Sequence, residues 1–115
     1  METIVLDKDF WYLFEIKINE LCEKYNLTKK IDCYELYCLI NNNFTIEIDM
    51  YTHPQFVERE LHISIIYTQN KSIINNDKYL LLESENDHLK VILPKPINEF
   101  INEIFFNLEK KISKL

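Results

Sequence analysis

Between Phe44 and Tyr51 the apolar residues Phe44, Ile46, Ile48 and Met50 alternate with Thr45, Glu47, Asp49 and Tyr51. Successive side chains of a strand point to opposite faces, so this stretch predicts a β-strand with one greasy and one acidic face. Leu61, Ile63, Ile65 and Tyr67 alternate with Glu60, His62, Ser64 and Ile66 in the same way. Upstream, Tyr34, Leu36, Cys38 and Ile40 share one parity of a Cys33–Ile40 run, with Cys33, Glu35, Tyr37 and Leu39 on the other. Asn41, Asn42 and Asn43 separate this run from the next and predict a three-residue hairpin loop, Asn being tolerant of the left-handed conformation. Pairing Ile40 with Phe44 would then keep both apolar sets on one face.

The rest of the chain alternates between helical and extended signals. Thr3 to Leu6 reads as an edge strand or an extended lead-in, and Asp7 and Asp9 offer helix N-caps. Phe10, Leu13, Phe14, Ile18, Leu21, Cys22 and Tyr25 fall at helical spacing and predict a helix ending near Asn26. Trp11, Tyr12 and Ile16 widen that stripe, and strand is the competing reading over Phe10–Ile18. Thr28 to Asp32 reads as a polar connection. Thr52 to Gln55 reads as a loop, since Pro54 has no N–H to give a ladder, and a third strand follows from about Glu58. Gln69 to Asp77 reads as a longer loop with a single helical turn, Tyr79–Glu83 as a fourth strand, Ser84–Asp87 as a turn, and Leu89–Leu93 as a fifth strand. Pro94 and Pro96 end that strand and open a final helix. Its face is Ile97, Phe100, Ile101, Ile104, Phe105, Leu108, Ile112 and Leu115, with Glu99 and Glu103 early and Lys110, Lys111 and Lys114 late, as the helix dipole favours. The sum is an α+β chain: a two-layer sandwich of about five antiparallel strands, with an N-terminal and a C-terminal helix on one face.

Composition narrows the function classes. The 115 residues suit a single domain over 1–115, and 47% apolar with 28% charged residues is a globular composition. A net charge of −6 argues against direct nucleic-acid binding and favours a cationic partner. There is no Gly and no Ala, and Arg59 is the only arginine, a skew expected of an AT-rich coding sequence. Without Gly, the phosphate-cradling loops of nucleotide-binding folds have no backbone to build them. Cys22, Cys33 and Cys38 lack metal-site spacing and read as free thiols in a reducing cytoplasm. No signal peptide and no membrane span is apparent in the sequence.

Candidate chemistry is sparse. His53, His62 and His88 show no zinc-like spacing with Cys or carboxylates, so no metal and no cofactor are expected. Glu47, Asp49 and Glu60 could hold a magnesium ion in a small nuclease. Glu15-Ile16-Lys17 matches a nuclease tripeptide, but on a predicted helix rather than a strand. Ser64 lies two residues from His62 with nothing to orient the pair. What remains is a surface: Glu35, Tyr37, Glu47, Asp49, Tyr51, Glu58, Glu60 and His62 are expected on or beside one uncovered sheet face, with Glu83, Glu85 and Asp87 extending it. Aromatic residues among carboxylates make anchors for a cationic protein.

Small, acidic and free of catalytic motifs, the chain resembles in general profile the immunity proteins of bacterial toxin–immunity pairs. That resemblance implies a cytoplasmic, stoichiometric inhibitor and not an enzyme. It would form a 1:1 complex, rather than a homodimer, with a cognate toxin expected to be basic, a nuclease being one such class. Competing readings are a secretion chaperone, which would dimerise around an effector segment, and the metal-dependent nuclease above.

Overall fold

The computed structural model describes residues 2–5, 9–31, 37–52, 58–84 and 87–115, with side chains over 9–30, 37–50, 59–81 and 92–115. In chain order the elements are β1 (Glu2–Val5), α1 (Trp11–Tyr25), β2 (Thr28–Ile31), β3 (Tyr37–Ile40), β4 (Phe44–Thr52), β5 (Glu58–Tyr67), β6 (Ile73–Ser84), β7 (Asp87–Leu93) and α2 (Ile97–Ile112). This is an α+β fold with antiparallel strands and a helix toward each end of the chain. Phe10–Ile18 is therefore not a strand, because its apolar residues repeat at helical period. The Asp7 cap and the loop around Pro54 lie outside the described residues, as do Cys33 and Glu35.

Two compact units divide the chain, one formed by Met1–Ile18 with Leu81–Leu115 and the other by Asn19–Leu80. In the first, β1 pairs with β7 (Glu2 opposite Leu93, Val5 opposite Lys90), so Glu2–Val5 is an edge strand of the described sheet, and Leu6 of the expected run lies outside the described residues. The end of β6 pairs with β7 as well, Leu82 opposite Ile92. Phe100, Ile101, Ile104, Phe105, Leu108 and Ile112 of α2 are buried, along with Phe10, Phe14, Ile18, Leu81 and Leu93. Phe14 stacks on Phe10 at 5.3 Å and meets Phe105 at 4.9 Å. Six large side chains buried along one helix, at about 1.5–3 kcal/mol each, outweigh the short-range terms that shape its ends. At the N-terminus Pro96 lends its carbonyl to the Phe100 N–H at 2.9 Å. A proline fits there because a first-turn N–H has no helical acceptor.

The second unit holds the antiparallel set β2, β3, β4, β5 and the start of β6. Leu39, Phe44, Ile46, Ile48, Leu61, Ile63 and Ile65 form its core. The end of α1 covers this face: Leu21 is buried and Tyr25 lies edge-on to Phe44 at 6.3 Å. The helix stops at Asn26, whose φ of 54° lets the Leu27 N–H reach the Cys22 carbonyl at 2.9 Å.

Three expectations fail in this unit. Thr28–Ile31 is a strand and not a connection, pairing Thr28 with Ile40 and Ile31 with Tyr37; its lysines suit an edge position. Ile73–Asp77 belongs to β6 instead of a loop. The turn before it fixes this: Lys71, at φ 63°, donates its N–H to the Tyr67 carbonyl, and the Tyr67 N–H donates to Ser72. Backbone pairing then carries Asn75 and Asn76 into the strand despite their low propensity.

The third concerns the β3–β4 hairpin, whose register is one residue off the expected one. Ile40 faces Thr45, not Phe44, and Leu39 faces Ile46. Asn41 causes the shift. Its side-chain carbonyl accepts the N–H groups of Asn43 (2.8 Å) and Phe44 (2.9 Å), while its own N–H donates to the Phe44 carbonyl. The loop thus shrinks to Asn42 and Asn43, neither in the left-handed region. A slip of one residue turns every β3 side chain to the opposite face.

Candidate interaction face

The face of the second unit opposite its core is defined by cross-strand rows. Lys30, Cys38, Glu47 and Ser64 form one row, and Asp49 faces His62 in the next. His62 Nε2 lies 2.8 Å from Glu60 Oε2. Glu47, Asp49, Glu60 and His62 are therefore brought together as expected, all half-buried.

The other expected residues separate from them. Tyr37 stands opposite Ile48 and so shares the core-side face, a direct consequence of the Asn41 turn. Cys38 and Ile40 take the place expected of Tyr37. Tyr51 faces Glu60 across the ladder and Glu58 begins β5, but their side chains lie outside the described residues, as Glu35 does entirely. The same holds for the side chains of Glu83, Glu85 and Asp87.

The face is narrower and more mixed than alternation suggests. In the row Thr28, Ile40, Thr45 and Ile66, Thr45 is 2% exposed and Ile66 8%. Thr45 Oγ1 bonds Thr68 Oγ1 at 2.9 Å, and Thr68 Oγ1 donates to the Asn41 carbonyl. Lys30 adds a cation that sequence reasoning missed, because Thr28–Asp32 carries no alternation to reveal a strand. Burial pushes the Cys38 thiol pKa up, the charge of Glu47 adds to that, and Lys30 and Lys71 oppose it.

Among the described residues no group of three or more His, Cys, Asp or Glu could hold a metal ion. Glu15-Ile16-Lys17 lies on α1, off any strand. Ser64 and His62 share a face of β5, with His62 turned to Glu60. His53 and the side chain of His88 lie outside the described residues. No described helix is long and apolar enough to cross a membrane. No family model matches the chain, and neither a curated protein nor a solved structure matches it.

Proposed function

We propose that the protein is an immunity protein, a stoichiometric inhibitor that binds a cationic bacterial toxin in a 1:1 complex and occludes its active site. The observation that carries this reading is the grouping of Glu47, Asp49 and Glu60, with His62, on one face of adjacent strands. Carboxylates held on a sheet have little freedom left to lose on binding, and they speed encounter with a positively charged partner. The net charge of −6 acts in the same direction. Free Cys22 and Cys38 suit action in a reducing cytoplasm. The mechanism needs no cofactor and no catalysis. Lys30, in the row of Glu47, orients the partner by asking for an acid at that edge.

The test is co-expression with a toxin-like product encoded next to this chain, followed by affinity measurement. E47Q/D49N/E60Q, which moves the formal net charge from −6 to −3, is expected to slow association at least about tenfold and to abolish protection from the toxin. Its melting curve should match the wild type. Full protection by the triple variant would reject the assignment of this face. Failure of the unaltered protein to bind or protect would reject the function itself.

A further inference from the structure

Three turns meet at one end of the second unit: Asn26 after α1, Asn41–Asn43, and Thr68–Ser72. Hydrogen bonds lock them together. Asn41 Nδ2 donates to the Tyr25 carbonyl at 3.2 Å, and the Thr68 N–H donates to the Asn43 carbonyl at 3.3 Å. Asn70 Oδ1 accepts the Ser72 N–H at 2.9 Å. Between the last two turns lies an open cleft of about 310 Å³ lined by Asn42, Asn43, Tyr67, Gln69 and Asn70. A second cleft of about 420 Å³ adjoins it and shares Asn42.

The lining is chemically selective. Its first cleft holds no carboxylate and no cation, so neither a metal ion nor a phosphate finds an opposite charge there. Apart from Tyr67 it holds no apolar side chain, so it lacks the pockets that anchor a peptide. The amides of Asn42 and Gln69 are exposed and make no hydrogen bond among the described residues. An amide both donates and accepts, which matches vicinal hydroxyls that also do both. Tyr67 is 48% exposed at the cleft and offers an apolar ring with a polar tip.

We propose that this turn-end cleft is a binding site for a neutral glycan, with one sugar ring packed on Tyr67 and its hydroxyls bonded to Asn42 and Gln69. The size suits a ring or two, and the adjoining cleft, which carries Thr28 and Thr68 beside Lys30, whose ammonium can donate to a sugar oxygen, gives a longer chain a continuation. The bonds above tie the backbone of the turns, so the order left to impose on binding is that of the exposed Asn42 and Gln69 side chains.

The test is an NMR titration of the isotopically labelled full chain with cellobiose, maltotriose and diacetylchitobiose, each to about 20 mM, a range that reaches weak affinities. The expected result is shifts from at least one sugar at the Asn42, Asn43, Gln69 and Asn70 amides. Tyr67→Ala and Asn42→Ala should each weaken binding about tenfold or more, and Tyr67→Trp should retain it. The spectrum itself reports whether each variant is folded. Absence of shifts with all three sugars, shifts located elsewhere, or shifts unchanged in Tyr67→Ala would overturn the proposal. So would a toxin partner whose binding perturbs this cleft while no sugar does, which would make it protein-docking surface.

Discussion

Lys71 and Asn26 occupy left-handed positions that glycine usually fills, in a chain with no glycine to offer. Each substitution to Gly is expected to stabilise the fold, Lys71→Gly by about 0.5–1 kcal/mol and Asn26→Gly by less, since Asn tolerates this region. Urea midpoints check both. Asn41 acts oppositely: its side chain accepts two N–H groups and donates to Tyr25. Asn41→Ala should cost about 1–3 kcal/mol, because the partly buried Phe44 N–H loses its acceptor. Cys38 supplies a pH prediction. Its pKa is raised in the fold, so the fold favours the protonated thiol. That contribution is whole below the free-thiol pKa and is lost as the pH rises through the folded value. Alkylation followed by mass spectrometry should show its midpoint above that of a free thiol. Glu47→Gln should lower the midpoint and Lys30→Gln should raise it.

At the scale of elements, α2 is the part most plainly written in the chain. Its apolar stripe is buried as spaced, and Phe106, off that stripe, is 67% exposed. Ile104→Ala should destabilise by about 2–4 kcal/mol, whereas Phe106→Ser should stay within about 0.5 kcal/mol. Denaturant unfolding distinguishes them. The strands β4 and β5 were equally legible, since alternation of apolar and polar residues determines both their existence and their faces. In β3 that legibility ends. Tyr37, Cys38, Leu39 and Ile40 are apolar at every position, so alternation cannot choose a face, and three hydrogen bonds made by Asn41 choose it instead. β2 and the start of β6 were hidden for a related reason: a polar tetrapeptide and an Asn pair become strands because neighbours supply the ladder.

For the molecule as a whole, the acid excess sets long-range behaviour independent of fold. If the proposed function holds, association with the cationic partner slows as salt rises through the range where the Debye length drops below about 10 Å. Stopped-flow rates at low and physiological ionic strength measure this, and the E47Q/D49N/E60Q variant should show a shallower dependence. Replacing the same three acids by Lys would bring the net charge to zero and invite self-association, so neutral substitutions are the cleaner probe.

By itself the sequence determined the α+β class, both helices, the acidic face of β4 and β5, and the lack of a nucleotide-binding loop, because periodicity and composition are local properties. Only the tertiary structure decided that Tyr37 turns to the core side, that Lys30 and Cys38 join the acids, and that the Asn41–Asn43 and Thr68–Ser72 turns lie beside one another with an open cleft between them. Those outcomes depend on register and on contacts between residues far apart in the chain. The hydrogen bonds of Asn41 set the first of them, the face on which Tyr37 lies.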